Sequence, residues 1–398
     1  MKISNLQLKI DAKFATLMAD CFIRPFGPDK IYFKFDKKYV DFIALDMSPF
    51  AAALLIPSMK LGSNLIIEGE ISEQLYKGLH EAMELVFSWN IGLKKIKIVA
   101  NSLKKDTYKP AAAASFFSGG VDSFYTYLKN KNNPAVQKIQ YFILANGYDI
   151  SLRNKNLWER SLATVENVAD HEGIELITVE SNVRHCIEPI LTWDYTHGGC
   201  LAALGLALRK EINNVYIAST YTKDQQYPNG THLQLDGLWG TEVINFHHDG
   251  TETNRLGKTK YIAHEQIVLE NLRVCYLNKR GKFNCGLCDK CNRTMIGLHI
   301  AGTLEQSKTF PRSIDLQVVK NLRTYTEDGA AFQMENLLDL NKMESDKELR
   351  DALQESISKS FAHPHTGQGR KVLEKIWFYD YYYTRSRLYK VASLVRNK

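Results

Sequence analysis

The chain has 398 residues, of which 44% are hydrophobic and 24% are charged, and its formal net charge is +7. This composition is typical of a folded protein and argues against intrinsic disorder, while the length predicts more than one domain. The modest positive charge favours anionic ligands such as nucleotides, but no run of Lys and Arg marks a nucleic-acid-binding tail, so nucleic acid is not expected as the primary ligand.

The N-terminal segment and the cysteines predict the cellular compartment. Met1 to Lys13 mixes charged residues with isolated apolar ones, unlike a secretory signal, and no stretch approaches the length of a membrane span. Four of the seven cysteines lie between positions 275 and 291, which is typical of a metal site and not of a disulfide framework. We therefore expect a cytoplasmic protein without membrane attachment.

Residues 1–108 are predicted to form a small α+β domain. Alternating apolar residues predict strands at Lys30–Phe35, Asn64–Glu70 and Lys94–Ala100. Ser72 can cap a helix with one apolar stripe, formed by Leu75, Leu79, Ala82 and Val86. No motif in this region carries chemistry, so we interpret the stripe as core.

Residues 109–302 are predicted to form an α/β domain with a doubly wound parallel sheet, because strands and helices alternate from Ala111. The predicted elements are, in chain order, strand Ala111–Phe117 followed by a helix, strand Ile139–Ala145, helix Leu157–His171, strand Ile174–Val179, helix Gly198–Glu211 and strand Val215–Ser219. Ligands are expected at the carboxyl ends of these strands. Thr220–Lys260 has weak periodicity and is predicted to be a functional loop or lid.

Residues 303–398 are predicted to form a helical C-terminal region. The clearest helical segments are Asp346–Ser360 and Lys371–Val395. An aromatic cluster at Trp377–Tyr383 is expected to pack on the main domain in preference to forming a partner surface.

The segment SGGVDS follows a predicted strand and opens a predicted helix. Two glycines permit a tight turn, and amides at the start of a helix can hold an anion. The predicted ATP-binding residues here are Ser118, Gly119, Gly120, Val121 and Ser123. Asp122 would repel a phosphate and is better suited to hold Mg²⁺ against the polyphosphate. The segment resembles the SGGxDS signature of PP-loop ATP pyrophosphatases, which cleave ATP between the α- and β-phosphates.

A rival nucleotide motif, Gly257-Lys258-Thr259, looks like the end of a Walker A loop. The first glycine of that motif would fall at Glu252, and no predicted strand precedes it. We therefore reject the Walker A interpretation.

Four cysteines have the spacing C-x₉-C-x₂-C-x₂-C, namely Cys275, Cys285, Cys288 and Cys291. Four thiolates in one segment can close a tetrahedral Zn²⁺ site, and Gly286 eases the tight turn between them. An iron–sulfur cluster is the alternative ligand. Zinc deaminase chemistry is disfavoured because no His-x-Glu motif accompanies the cysteines. The other three are expected to be buried thiols: Cys21, Cys186 and Cys200.

Together, SGGVDS and the downstream CGLCDKC resemble the 7-cyano-7-deazaguanine synthase (QueC) family across Ala111–Gly302. The resemblance implies a PP-loop fold of the HUP-like Rossmannoid type with a zinc knuckle, and the cofactors ATP, Mg²⁺ and Zn²⁺. It also implies that ATP adenylates the carboxylate of 7-carboxy-7-deazaguanine, that ammonia makes the amide, and that a second ATP helps to make the nitrile.

The sequence departs from housekeeping QueC in its added N- and C-terminal regions and in its turn Asn146–Asp149, where a Tyr-Gly-Gln-like turn is expected. The segment Tyr227–Lys258 also differs. These features are more similar to the QueC-like enzymes of bacterial anti-phage operons, the Qat and type IV CBASS systems. Such relatives are thought to join a deazaguanine to a protein through an amide, which implies a protein amine as acceptor and a role in defence.

The proposed chemistry assigns further roles, as hypotheses. At the ATP site, Gly147 and Asp149 are expected to meet the adenosine, while His197 and Gly198 open a helix whose amides could hold the α-phosphate. In the loop region, Asp236 could read the donor face of a guanine-like base, and His247 is the candidate substrate residue, since at most one of His247 and His248 is expected in the site. Asp249 could be a second metal ligand or a base for the amine, and Arg255 and Lys258 could stabilise charge on the phosphorus or on the departing pyrophosphate. The alternative for His197 is a packed histidine, and for the charged loop residues a solvated charge.

Two other functions remain open from the sequence. One is a different PP-loop chemistry, such as amidotransfer or tRNA thiolation, for which Cys186 and Cys200 flank the helix start around His197. The other is a zinc-stapled nucleic-acid- or protein-binding module with a vestigial ATP site. The intact SGGVDS segment and the modest net charge argue against this second alternative.

Overall fold

The computed structural model describes residues 1–23, 27–278, 282–324, 327–343 and 346–362. Its strands are β1 (Lys2–Ile10), β2 (Phe14–Ile23), β3 (Gly27–Asp36), β4 (Leu65–Ser72), β5 (Ile98–Lys104), β6 (Ala112–Phe116), β7 (Ile139–Asn146), β8 (Glu175–Ser181), β9 (Ile212–Ala218) and β10 (Asn245–Asp249). Its α-helices are α1 (Ser48–Leu61), α2 (Glu73–Ser88), α3 (Val121–Lys131), α4 (Lys155–Glu172), α5 (Val183–Ile187), α6 (Trp193–Ala207), α7 (Arg255–Ile262), α8 (Gln266–Asn271), α9 (Asp289–Ile300), α10 (Leu316–Asn321), α11 (Glu327–Leu340) and α12 (Lys347–Ala362).

Within these residues the strands form one ten-stranded sheet in the order β10-β9-β6-β7-β8-β3-β2-β1-β4-β5. The five strands β10, β9, β6, β7 and β8 are mutually parallel. The chain runs outward from β6 to β8 and then returns to the other side of β6, which creates a switch point between β6 and β9. This arrangement confirms the predicted α/β class, and it directs attention to the carboxyl ends of β6 and β9.

The N-terminal strands extend the same sheet. β3 pairs antiparallel with β8, β2 pairs with both β3 and β1, and β4 and β5 continue the sheet in parallel beyond β1. Buried side chains of both parts of the chain form one core that includes Phe33, Phe50 and Leu204. The predicted domain boundary near residue 108 falls between β5 and β6 and stays a prediction.

Local sequence explains most of the N-terminal elements. The strands predicted at Lys30–Phe35 and Asn64–Glu70 correspond to β3 and β4, whereas the one predicted at Lys94–Ala100 overlaps β5 only at its last three residues. The predicted helix is α2, where the Ser72 hydroxyl accepts a hydrogen bond of 3.0 Å from the Leu75 amide. The strands β1 and β2 and the helix α1 were not predicted. Helix α1 is apolar on all sides and almost wholly buried, so it has no amphipathic stripe to reveal it.

Two predicted features in the middle of the chain were wrong. The long helix placed at Gly198–Glu211 is α6, which begins at Trp193, five residues earlier. Thr220–Lys260 is not irregular throughout, because it contains β10 and most of α7. Both are hard to recognise from periodicity: α6 is buried on nearly every side, and β10 is only five residues long.

The C-terminal region is helical up to residue 362. Helices α10 and α12 pack together with α11 around a small core that contains Val319, Leu340 and Leu353. The predicted helix Asp346–Ser360 corresponds to α12. Lys371–Val395 and the aromatic cluster Trp377–Tyr383 lie outside the described residues.

No helix in the described part of the chain combines the length and the apolar character needed to cross a membrane.

Candidate functional site

The SGGVDS segment begins in the loop between β6 and α3 and continues into the first turn of α3, at the switch point of the sheet. Gly119 has a φ of +72°, a backbone conformation that side chains with a Cβ rarely adopt. The Gly120 amide donates to the Ser123 hydroxyl at 3.1 Å, and that hydroxyl donates to the Gly120 carbonyl at 3.0 Å. Ser118 is exposed and Val121 is buried in the core beneath the loop. The loop therefore offers backbone amides and the Ser118 hydroxyl, while the Ser123 hydroxyl holds the turn together.

Asp122 lies at the start of α3 within a cluster of cations. Its Oδ2 accepts hydrogen bonds from the Arg255 guanidinium and from the Thr220 hydroxyl, the latter at 3.2 Å. The Lys258 Nζ lies 3.8 Å from Oδ1 and donates to the Ser219 carbonyl at 2.6 Å. Burial raises the pKa of Asp122, but Arg255 and Lys258 outweigh it, so the pKa lies below its ordinary value. Asp122 is therefore held as a carboxylate.

The start of α7 explains why both cations reach the same carboxylate. The Asn254 side chain caps the helix by accepting a 2.9 Å hydrogen bond from the Gly257 amide. Arg255 and Lys258 are three residues apart and therefore share one face of the helix. The Lys258 side chain is fully buried, and burial lowers its pKa against the opposing effect of Asp122.

Among the described residues, two atoms of this cluster are buried without a hydrogen-bond partner: the Asp122 Oδ1, which lies 3.8 Å from the Lys258 Nζ, and the Arg255 Nε. Such groups are uncommon in folded proteins and mark places where a ligand can complete the network. The free Oδ1 suits Mg²⁺, but Arg255 and Lys258 would repel a cation that arrived alone. The donor set therefore fits Mg²⁺ only when the ion arrives with the negative charge of a polyphosphate.

The four cysteines of the C-terminal motif lie close together and are buried. Their sulfur atoms all lie within 4.8 Å of one another, with separations of 3.8 Å for Cys275–Cys288 and 3.9 Å for Cys285–Cys291. A tetrahedral zinc site with Zn–S bonds of about 2.3 Å has sulfur–sulfur edges of about 3.8 Å. The residues therefore fit a metal ion such as zinc, and Gly286, with φ at +67°, allows the turn between two of them.

Gly147 and Asp149, which were predicted to meet the adenosine, follow the end of β7, at the same edge of the sheet as the Ser118–Gly120 loop. Gly147 has a φ of +94°, and a Cβ there would lie 2.0 Å from the Ser181 carbonyl oxygen, so no larger residue fits. The Asp149 Oδ1 accepts a hydrogen bond of 3.3 Å from the Trp193 indole. Asp149 also interacts electrostatically with Arg273 and Lys290.

His197 and Gly198 lie in the second turn of α6 and not at its start. Their amides therefore point to carbonyls of the first turn and are not free for a phosphate. The His197 ring pairs with the Trp193 carbonyl at 3.0 Å and with the Thr231 hydroxyl at 3.3 Å. A Cβ on Gly198 would lie 1.8 Å from the Gly230 carbonyl oxygen. Both residues pack against the loop that contains Gly230.

Asp236 and His248 form a buried pair on the face of the sheet opposite α3. The Asp236 Oδ2 lies 2.7 Å from the His248 Nδ1, and its Oδ1 accepts a hydrogen bond of 3.2 Å from the His232 amide. Both carboxylate oxygens have partners within the protein and Asp236 is fully buried, so it is not accessible to a base in this arrangement.

His247 and Asp249 point to the face of the sheet opposite His248, because side chains alternate along β10. The His247 Nε2 lies 2.7 Å from the Asn214 Oδ1, and its ring stacks on Tyr216. Asp249 accepts hydrogen bonds from Lys129 at 2.8 Å and from Asn130 at 3.2 Å. The structure thus brings Asp122, Arg255 and Lys258 together. Asp249 pairs with Lys129 and also acts electrostatically on Lys258, whereas His247 pairs with Asn214.

Three residues near the Ser118–Gly120 loop and Asp122 were not predicted from the sequence: Thr220, Arg273 and Lys290. Thr220 binds Asp122, the Arg273 amide donates to the Gly119 carbonyl at 2.8 Å, and Lys290 interacts electrostatically with Asp122. Their positions in the sequence were the one clue: Thr220 follows β9 closely, and the other two lie beside or within the cysteine motif. Such positions suggest which residues lie near the site, but they do not predict which side chains touch.

No protein-family model, no curated protein and no solved structure matches the chain. Functional inference therefore depends on the two motifs and on the geometry around them.

Proposed function

We propose that this protein is a PP-loop ATP pyrophosphatase that transfers AMP to a carboxylate and releases pyrophosphate. The observation that carries the proposal is a glycine-containing loop at the switch point of a doubly wound sheet, followed by a helix whose Asp122 meets Arg255 and Lys258. Helix amides and paired cations bind polyphosphate well, and a carboxylate beside them can hold the accompanying Mg²⁺.

The substrate that we propose is a 7-deazaguanine carboxylate, supported by the occurrence of SGGVDS and CGLCDKC on one chain. A carboxylate oxygen attacks the α-phosphorus of ATP and pyrophosphate leaves. An amine nitrogen then attacks the acyl carbon, AMP leaves with the bonding electrons, and the nitrogen loses one proton. The amine is ammonia or the amine of a protein partner, and in the latter case the resemblance supports a role in anti-phage defence.

Each residue of the cluster has a distinct proposed role. The amides in the first turn of α3 bind phosphate oxygens, whereas the Gly120 amide is already bonded to the Ser123 hydroxyl. Arg255 and Lys258 neutralise charge that develops on the phosphorus and on the departing pyrophosphate. Asp122 orients both cations and holds Mg²⁺, which would supply further charge neutralisation. The metal ion at the four cysteines is proposed to be structural, because all four ligand positions are filled by protein.

The alternative of sulfur transfer is disfavoured because its candidate nucleophiles are buried thiols. Cys186 and Cys200 are 2% and 0% exposed, and burial raises the pKa of both thiols above the ordinary value. A thiol held in this way is neutral at physiological pH and inaccessible to a substrate. Replacing each cysteine with serine should therefore leave turnover unchanged, whereas a sulfurtransferase would be inactivated.

The decisive experiment is to incubate the protein with Mg-ATP and 7-carboxy-7-deazaguanine, with and without ammonium, and to follow nucleotides and base by mass spectrometry. We expect AMP and pyrophosphate only when the base is present. Amide or nitrile in the ammonium sample identifies ammonia as the acceptor, and AMP without either product points to a protein amine. Formation of ADP, or of AMP at the same rate without the base, would contradict the proposal.

A matched pair of lysines on α7 controls this experiment. Lys258→Met should lower the rate of AMP formation by roughly a hundredfold, as expected when a preorganised cation at the reacting phosphate is lost. Lys260 is exposed and pairs with Asp339 at 2.9 Å, so Lys260→Met should have a rate close to that of the unaltered protein. Equal rates for the two variants would remove Lys258 from the proposed site.

A further inference from the structure

The first turn of α7 is capped by side chains from two different elements. The Asn254 side chain accepts a hydrogen bond from the Gly257 amide at 2.9 Å, and the Leu256 amide donates to the Oε2 of Glu335 at 3.2 Å. Glu335 lies on α11, 79 positions further along the chain. A carboxylate that accepts from such an amide stabilises the start of a helix through the hydrogen bond and through the helix dipole. The turn that carries Arg255 is therefore held by a residue of the C-terminal helical region.

Helix α11 also contacts the other elements around Asp122. Its Phe332 ring stacks on the Tyr221 ring with the centroids 5.8 Å apart, and Tyr221 directly follows Thr220, whose hydroxyl binds Asp122. The Asn336 side chain donates to a backbone carbonyl of α9 at 3.0 Å. Helix α11 thus joins α7, α9 and the segment after β9, which are the elements that surround the cluster.

Glu335 has one oxygen that the cap does not use. Among the described residues, its Oε1 is buried and has no hydrogen-bond partner, and the same holds for the Arg255 Nε. Burial raises the pKa of Glu335 above its ordinary value, against the opposing effects of the Leu256 amide and of Arg255 and Arg293. Buried groups that are only partly satisfied cost stability, and they occur preferentially at functional sites.

The position of Arg255 depends on the turn that Glu335 caps. The Arg255 guanidinium binds Asp122 at the tip of a long side chain, and the base of that side chain is the first residue of α7. A shift of this turn moves the guanidinium with it. Because a displacement of about 1 Å is enough to lose a productive contact with a ligand, the support of the turn decides whether Arg255 reaches a phosphate.

We propose that Glu335 is a positioning residue for polyphosphate binding, which holds the first turn of α7 so that Arg255 faces the ligand at the Ser118–Gly120 loop. This inference rests on the proposed function and deepens it, because it makes the C-terminal helices part of the nucleotide site. Two other roles predict different results. A residue that only anchors α11 affects stability but not anion affinity, and a residue that acts only as a negative charge near Arg255 opposes anion binding.

The test measures the binding of inorganic tripolyphosphate to the full chain by calorimetry, without Mg²⁺. Glu335→Ala removes the cap and should weaken binding by roughly three- to thirtyfold, which is the contribution of a helix cap expressed as a ratio of affinities. Glu335→Gln should restore most of the affinity, because its amide oxygen still accepts from Leu256. Asp339→Ala is the matched control: Asp339 lies one turn further along α11 and also contacts α7, but through the exposed Lys260 at 2.9 Å, so affinity should change less than twofold.

A double-mutant cycle shows whether Glu335 acts through Arg255. In the Arg255→Met background, Glu335→Ala should have little further effect on tripolyphosphate affinity, because the side chain that it positions is gone. Urea denaturation checks that each variant is folded under the conditions of the binding measurement. Full additivity of the two substitutions would overturn the inference, and so would unchanged or tighter binding by folded Glu335→Ala alone.

The remaining outcomes distinguish this inference from the proposed function. If tripolyphosphate binds with the expected dependence on Glu335 but Mg-ATP never yields AMP, the role of Glu335 in anion binding stands and the proposed function fails. If AMP forms and Glu335→Ala binds tripolyphosphate like the unaltered protein, the proposed function stands and the inference fails. If the unaltered protein binds no tripolyphosphate, the inference is wrong, and the formation of AMP alone decides the proposed function.

Discussion

Two buried clusters of carboxylates and cations occupy different parts of this molecule, and they are built in opposite ways. In the first, Arg209 at the end of α6 binds Asp106 through Nε at 2.7 Å and through a second nitrogen at 3.1 Å. The same guanidinium binds Asp46 and the Leu206 carbonyl. One cation therefore faces two carboxylates, and its donors are used within the protein.

In the second cluster, the carboxylate of Asp122 has two cations as its nearest charged partners. Among the described residues, Asp122 is the carboxylate at ion-pair distance from Arg255 and Lys258, although Asp249 and Glu252 also act electrostatically on Lys258 and Glu335 on Arg255. In the same part of the chain, the Asp122 Oδ1 and the Arg255 Nε have no hydrogen-bond partner. Burial of charged groups stabilises a fold only when their hydrogen bonds are satisfied. The difference indicates that the Arg209 cluster joins parts of the fold. We propose that the Asp122 cluster is completed by a ligand that brings an anion for Arg255 and a cation for the Asp122 Oδ1.

The largest expected effect is on the Arg209 cluster. Arg209→Met leaves Asp46 and Asp106 without their cation, and removal of one partner from a buried pair costs about 3–5 kcal/mol. Urea denaturation should show this loss in the free energy of unfolding, while ATP affinity under native conditions stays the same. Lys95→Met is the control, because the Lys95–Glu84 pair is exposed and should contribute less than about 1 kcal/mol.

A clear loss of ATP affinity in folded Arg209→Met would contradict the distinction between the two clusters. It would mean that the Arg209 cluster acts on the nucleotide site and is not only a joint between α6 and the N-terminal part of the chain.

Asp122→Asn should have opposite effects on catalysis and on binding. The Mg²⁺-dependent rate of AMP formation should fall by roughly a hundredfold, because a ligand for the ion is lost. Binding of tripolyphosphate without Mg²⁺ should tighten, because Arg255 and Lys258 no longer share their charge with a carboxylate. Calorimetry in the presence of a Mg²⁺ chelator measures the second effect.

Weaker tripolyphosphate binding by Asp122→Asn would show that the carboxylate positions the two cations more than it competes for them. Arg255→Lys then serves as the second variant, since it keeps the charge but loses the fork of donors.

Much of the Asp122 cluster could be anticipated from sequence, because its parts are local. The strand before Ser118, the two glycines and the helix after them are contiguous, and the four cysteines span seventeen positions. Arg255 and Lys258 were selected as candidate cations, although the pairing with Asp122 across more than 130 positions was not. Chemistry within a short segment is visible in its residue types, but a long-range contact is not.

The Arg209 cluster could not be anticipated, for the same reason. Arg209 and Asp106 are 103 positions apart, and Arg209 and Asp46 are 163 positions apart. Each looks like an ordinary surface charge when it is read alone, because charged residues are usually exposed. The roles predicted for Asp236 and Asp249 met the same difficulty, since each is bonded to residues that no local pattern connects to it.

The smallest expected effect is on the pH dependence of stability, and it concerns Asp122 alone. Because its cation partners lower the pKa of Asp122 below the ordinary value of 3.8, the folded state binds this proton less readily than the unfolded state. The stabilisation is therefore present above pH 3.8 and is lost as the pH falls through the lowered pKa. Asp122→Asn has no such proton to bind, so the unaltered protein should exceed the variant in unfolding free energy by more at pH 6 than at pH 3. A difference that stays constant over this range would mean that the folded state does not lower the pKa of Asp122.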